Sequence, residues 1–333
     1  MRSHPRIEQL LLQAEHQRRC VWPMEQGDRQ LLMRRVRAGI LVTPFQGLFV
    51  RKALWLQLPF AERIAYILRA VCHQHPDWTV CGISAAAAHG YTATYYQHRF
   101  VHIAVSDRSK ARRHGPFVGH YIPKYRSVVV NNGIRATTPI RTMFDCARTL
   151  DFSTAMSICT MGLRATQLTA EALQNYCQIN SRKHGIRRAI YVAQNVDPLC
   201  TNGGEAVAYA TILELGFAAP ECQRMFINPI DNKPIYADFT WTLSDGSLII
   251  GELDGREKYI NPAMTKGMDS IDIVLHEKDR EAGINLLHIP VARFQMQHVH
   301  NRAQLEQRLS AANVPRPGKG KRTPFTGFEC RAY

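Results

Sequence analysis

A mixed α/β (α+β) fold is what this chain of 333 residues predicts, and three observations carry that reading. The last third alternates helix and strand patterns in the order α-β-β-β-α-β after a turn-rich run, Asp197-Pro198 through Asn202-Gly203-Gly204. Inside it, Tyr236 to Leu243 and Leu248 to Leu253 are β-branched and aromatic runs flanking Ser244-Asp245-Gly246, the composition of a β-hairpin. The front reads helix, basic helix and short hairpin, and a middle region mixes both patterns. The predicted organisation is a front module over 1–55, a mixed α/β middle over 56–197, a third module over 198–312, and a basic tail over 313–333 rich in Pro and Gly.

Taken in order, Arg6 to Arg19 has Ile7, Leu10, Leu11 and Ala14 at helical spacing. Asp28 to Ala38 forms a second helix with Asp28 as N-cap and Gly39 as its stop. Ile40 to Val42 and Leu48 to Val50 flank a Pro44-Phe45-Gln46-Gly47 turn, so the front suggests a winged helix-turn-helix with Arg29, Arg34, Arg35 and Arg37 facing DNA. A small domain with a solvated basic face is the alternative. Further on come a helix at Pro59 to Cys72, a strand at Trp78 to Cys81 and a short helix at Ser84 to His89. Strands at Arg99 to Val105 and Phe117 to Ile122 surround a basic loop, Asp107 to His114, in which Arg108, Lys110, Arg112 and Arg113 are candidate phosphate contacts; a solvated charge run is the alternative. Helices follow at Ile140 to Thr149, Thr154 to Arg164, Thr169 to Asn180 and Ala189 to Asn195. The third module opens with a helix from Glu205 to Leu215 and continues with a strand at Glu221 to Ile227 and the hairpin. It closes with a helix from about Met264 to Ala282, a strand at Asn285 to Ile289 and a helix at Ala303 to Ala311.

The hairpin carries acids, and strands are normally depleted in them. A two-residue loop at Asp245-Gly246 would set Asp238 opposite Leu253 and send the acids to different faces. A three-residue loop, Ser244 to Gly246 with Gly246 left-handed, sets Asp238 opposite Glu252 with Asp254 on the same face, and this is the register expected. Carboxylates gathered on one sheet face repel unless a cation or a shared proton lies between them, so Mg2+ or Mn2+ is the natural occupant, held by Asp238 and Glu252 with Glu205 reaching in from its helix. Such an ion would polarise a phosphodiester and acidify its attacking water, with Lys258 as the candidate neighbouring cation. The alternative is structural, each acid capping a turn or paired with Arg256, Arg280 or Arg293.

Composition narrows the partners. Lys and Arg outnumber acids 42 to 27, a formal charge of +15, which fits a phosphate-bearing partner. DNA is the expected one, with RNA left open. The beginning, M-R-S-H-P-R-I-E-Q, lacks a signal peptide's apolar segment and no run has the length of a membrane span, so a cytoplasmic protein without membrane contact is expected. The nine cysteines contain no C-x-x-C pair and read as reduced packing thiols. No P-loop, zincin or α/β-hydrolase motif occurs, and the histidines lack metal-ligand spacing.

Two resemblances attach to these residues. G-E-x7-L-x-x-G-F (Glu205, Leu213, Gly216, Phe217), Gln223, A-D-F-T-W (Asp238), G-E-L-D-G-R-E-K-Y (Glu252, Asp254, Lys258) and H-E-K-D-R (Glu277, Arg280) resemble the PD-(D/E)XK nuclease superfamily, in the uncharacterised branch related to very-short-patch-repair endonucleases. That resemblance implies a restriction-endonuclease-like fold and Mg2+-dependent DNA cleavage, with Asp238 and Glu252 as metal ligands. The superfamily's usual lysine, two residues after the glutamate, is Asp254 here. Either Lys258 substitutes, or Asp254 is a third ligand, or only DNA binding remains. At the front, R-R-V-R-A-G-I-L-V-T-P-F-Q-G-L-F-V, I-S-A-A-A-A-H-G-Y and T-T-P-I-R-T-M-F-D-C-A-R are similar to AbiE-type antitoxins, which implies DNA binding, autoregulation and a cognate toxin in a bacterial defence setting.

Overall fold

The structure, a computed structural model, describes residues 4–92, 97–254 and 280–317. It is mixed α/β with three sheets, and its chain divides into two compact units, residues 1–149 with 161–193 and residues 150–160 with 194–333.

The first unit begins with helices α1 (Pro5–His16) and α2 (Gln26–Arg37) and the antiparallel hairpin β1 (Leu41–Phe45) and β2 (Leu48–Arg51). Ile7, Leu11, Leu32, Leu41 and Phe49 fuse them into a small core. Two boundaries differ from expectation. α1 stops before Arg18, whose backbone is left-handed (φ 51°). α2 begins at Gln26 after Glu25, and Asp28, rather than capping, is buried against the Arg6 guanidinium at 3.0 Å. Arg51 clamps α1 from below, bonding Glu15 and Glu8 at 2.6 Å each.

Helix α3 (Lys52–Gln57) packs on the β1–β2 hairpin, and α4 (Phe60–Gln74) and α5 (Gly82–Ala88) pack with a six-stranded mixed sheet. Its strands are β3 (Thr79–Val80), β4 (Val101–Val105), β5 (Arg113–His114), β6 (Phe117–Tyr121), β7 (Ser127–Val130) and β8 (Ile134–Thr137), in the spatial order β5-β6-β4-β3-β8-β7. The β7–β8 hairpin went unread in the sequence; it turns on Asn131-Asn132-Gly133, all three at positive φ, a recognisable turn signal. One core joins Phe45, Leu48 and Val50 of the front to α4 and the sheet. Helices α6 (Pro139–Thr149), α7 (Phe152–Ala165), α8 (Ala170–Ile179) and α9 (Ile186–Asn195) follow, the division between the units passing through α7.

The second unit is built on α10 (Gly203–Glu214) and a four-stranded sheet ordered β12-β11-β10-β9, from β9 (Glu221–Ile227), β10 (Pro234–Thr242), β11 (Leu248–Asp254) and β12 (Val291–Gln295). β9, β10 and β11 run antiparallel and β12 lies parallel to β11. The strand expected at Asn285 to Ile289 lies instead at β12. Residues 280–286 are helical, His288 is left-handed, and the strand starts after Pro290, whose carbonyl accepts from the Ile250 N–H. Helices α11 (Met296–His300) and α12 (Arg302–Ala311) close the unit. The eight described cysteines are buried, and none of them is in a disulfide. Among the described residues no helix is long and apolar enough to cross a membrane.

The β10–β11 register is the expected one: Phe239 pairs with Gly251 and Thr242 with Leu248, leaving Ser244 to Gly246 as the loop, closed by Leu243 N–H to Ser247 O at 2.8 Å. Gly246 sits at φ 84°, which an L side chain adopts at a cost. Gly246→Ala is therefore expected to lower the unfolding free energy by about 1 kcal/mol in urea titrations. Gly27→Ala, in the first turn of α2 with open space around it, should raise it by roughly 0.5 kcal/mol.

Candidate active site

Asp238 lies opposite Glu252 in the register that Phe239 and Gly251 set, and the Asp238 N–H approaches Glu252 Oε1 at 3.4 Å. The Asp238 carboxylate accepts the Leu253 N–H at Oδ2 (2.9 Å) and the Gln223 amide at Oδ1 (3.3 Å). Glu252 is 1% exposed, and Oε2 accepts from Arg280 Nη2 at 2.8 Å. Burial first, and repulsion from Asp238 second, push the Glu252 carboxyl up to about 7, with Arg280 pulling only part of the way back.

Glu205 is also buried, in the first turn of α10. Its carboxylate accepts the Thr201 N–H (2.6 Å), the Thr201 hydroxyl (2.5 Å) and the Asn202 amide (2.7 Å), while Asn202 Oδ1 caps the Glu205 N–H at 3.0 Å. This reciprocal cap fixes the turn that enters α10. The same carboxylate reaches the sheet through one side chain: Gln223 Nε2 stands 3.3 Å from both Glu205 Oε2 and Asp238 Oδ1. Those two oxygens are thus no farther apart than two hydrogen bonds laid end to end. Gln223 holds a left-handed backbone (φ 53°) inside β9, a conformation a non-glycine residue keeps only where its surroundings impose it.

Asp254, at the end of β11, is half exposed and lies 3.8 Å from Arg293 Nη1, which also pairs with Glu281 at 3.2 Å. Lys258, Arg256 and Glu277 lie outside the described residues. The paired-arginine alternative therefore has physical content at Glu252 and, at longer range, at Asp254. Among the described residues no three His, Cys, Asp or Glu side chains stand together in a way that would hold a metal ion. The donor set that does form, Asp238 beside a buried Glu252 paired with Arg280, suits a Mg2+-type ion, which takes one or two carboxylates and completes its shell with water and substrate oxygens.

In the first unit, Arg34 and Arg37 are exposed on α2. Arg35 is not: it is buried at 4% exposure and donates to the Leu31 carbonyl, because its position on the helix faces inward beside Leu32. Arg35 is thus removed from the expected nucleic-acid face. Arg108, Lys110, Arg112 and Arg113 are all exposed, on the 3-10 turn Arg108–Lys110 and the short stretch that leads into β5. Asp107 caps its 3-10 turn, Arg113 stacks over Phe100 at 4.3 Å and Arg108 over Tyr121 at 5.2 Å. The loop lies against Gly119, where a Cβ would come within 2.2 Å of the Lys110 carbonyl.

Two groups escaped the sequence reading because their members are distant along the chain. His102 Nδ1 and His120 Nε2 meet at 2.7 Å with stacked rings on neighbouring strands, near the buried His98. Burial lowers His98 to about 4 and, aided by the neighbouring rings, His102 to about 3. Cys200 and Cys222 bring their sulfurs to 3.3 Å, immediately before Thr201 and Gln223. No protein-family profile matches the chain, and no curated protein matches it.

The raised Glu252 carboxyl has a definite sign. Its proton is held more tightly in the folded than in the unfolded chain, so its contribution to stability is complete below about 4.5 and is lost as pH rises through about 7. In metal-free buffer, Glu252→Gln is expected to gain about 2 kcal/mol relative to wild type between pH 5 and pH 8. Urea unfolding across that range measures it, and a flat difference would show an ordinary carboxyl.

Proposed function

We propose that the chain is a metal-dependent DNA endonuclease whose second unit hydrolyses phosphodiesters and whose first unit binds the nucleic acid. The observation that carries this reading is the buried Glu252 set directly opposite Asp238 on the sheet. Asp238 and Glu252 would hold Mg2+ or Mn2+, which when bound supplies a polarised phosphate and an acidified water. Gln223 keeps Asp238 oriented from the fixed Glu205, and burial around Glu252 excludes bulk water from that side. The order α10, β9, β10, β11, the helical stretch 280–286 and β12 supports a PD-(D/E)XK-like module. The α1, α2 and β1–β2 arrangement supports a winged helix-turn-helix, with Arg34 and Arg37 exposed on α2 as phosphate contacts. Arg108, Lys110, Arg112 and Arg113 form a second set of cations, two of them steadied by aromatic rings.

A specific observation favours a second reading. Asp254 occupies the position of the superfamily's lysine, and Glu252 is already paired with Arg280. A DNA-binding regulator or antitoxin with an inactive nuclease fold, acting with a cognate toxin, would keep such a site as a charge-balanced scaffold.

Supercoiled, linear, mismatched and single-stranded DNA, with single-stranded RNA beside them, incubated with Mg2+ or Mn2+ separates the two. The endonuclease reading expects cleavage that drops at least about 100-fold in Asp238→Ala and Glu252→Ala. Cleavage retained by both variants would remove the site assignment, and none on any substrate would favour the regulator. Binding should weaken by about an order of magnitude or more between 50 and 200 mM salt, with a shallower slope once Arg112 and Arg113 are replaced by Ala.

A further inference from the structure

Arg280 is the one described cation in hydrogen-bonding contact with the paired acids. Its Nη2 donates to Glu252 Oε2 at 2.8 Å, and its Nη1 donates to the Tyr236 carbonyl at 3.3 Å on the neighbouring strand. The guanidinium thus bridges β10 and β11 through the Tyr236 carbonyl and Glu252, its side chain 27% exposed. The oxygen it occupies is one that a Mg2+-type ion would need. A carboxylate oxygen bonded to a guanidinium donates poorly to a metal, so the two positive groups compete for Glu252. Arg280 cannot lose its charge to settle that competition, since guanidinium stays protonated in proteins. It can only move, and its planar fork matches two oxygens of a phosphate as well as it matches a carboxylate.

We propose that Arg280 serves the site twice, as the counter-ion of Glu252 in the metal-free protein and, once Glu252 turns to a cation, as a phosphate-contacting residue in a site whose chain carries Asp254, not a lysine, two residues after Glu252. The proposal rests on the endonuclease reading for its second half and on the Glu252 contact alone for its first. Tyr236 O keeps the side chain tethered beside the sheet, so the shift from carboxylate to phosphate is one of side-chain torsions about a fixed backbone. The guanidinium then meets the negative charge that grows on the phosphate oxygens during hydrolysis.

The test pairs two readouts on wild type, Arg280→Gln and Arg280→Lys, each first checked for an unchanged circular-dichroism spectrum. Mn2+ binding without DNA, followed by the electron paramagnetic resonance of free Mn2+, should tighten roughly threefold or more in Arg280→Gln as the competitor for Glu252 is lost. Cleavage at saturating Mn2+ should fall about 100-fold in the same variant and be partly restored in Arg280→Lys. A residue that merely props the fold would weaken metal binding and cleavage together, and that outcome overturns the proposal, as does unaltered Mn2+ affinity. If wild type binds Mn2+ but cleaves nothing, tightening in Arg280→Gln still supports the counter-ion role while the endonuclease reading fails. If wild type binds no Mn2+, the metal site and this proposal fall together, whatever the DNA result.

Discussion

The second unit depends on a single pairing: a β-hairpin register that sets the Asp238 carboxylate opposite an almost wholly buried Glu252. Slipping that register by one residue would send Glu252 to the opposite face and dissolve the arrangement. Gly246 prevents the slip by accepting the left-handed turn position. Once the pairing is fixed, neighbouring features follow as compensation. Leu253 N–H and Gln223 attend Asp238, Arg280 attends Glu252, and Glu205 is tied into the entry to α10. Even so, the Glu252 carboxyl holds its proton above the ordinary carboxylate range, because burial and the neighbouring Asp238 outweigh the Arg280 contact. A protein interior seldom keeps such a debt of charge without a use for it.

The first unit is organised on different terms. Two of its buried charges are paired: Arg69, almost wholly enclosed, bonds Glu62 and the Asn131 and Arg18 carbonyls, and Asp145 is gripped by Arg141 and Arg148. Exposed cations stand on α2 and on the segment from Asp107 to His114. That loop is rigid at its base, since Gly119 admits the Lys110 carbonyl at a distance no side chain would tolerate. A pinned basic loop presents its cations at little cost in conformational entropy when an anionic partner binds.

Much of this was legible in the residues. The acid-bearing hairpin, its three-residue loop and the alignment of Asp238 with Glu252 came from composition and the two-residue strand period. The element order of the second unit was read correctly up to β11, and the last strand slipped because Ile289 and Leu287 looked as strand-like as Val291, while Pro290 is what divides them. Burial was less legible. Arg35 sits among exposed arginines in sequence and only the helix's packing turns it inward. Contacts between distant residues were not legible at all: the Arg280–Glu252 bond, the His102–His120 contact and the Cys200–Cys222 pair each join elements whose pairing no local pattern encodes.

Gln223 shows where stability and chemistry pull apart. Its backbone stays in a region that disfavours every side chain of its size by about 1 kcal/mol, in the middle of a strand that glycine or asparagine would occupy more comfortably. Either replacement would relax the strand, and either would shorten or delete the amide that spans Glu205 and Asp238. A stabilising replacement at this position would therefore cost the bridge between helix and sheet, so robustness and the geometry of the acids cannot be improved together there.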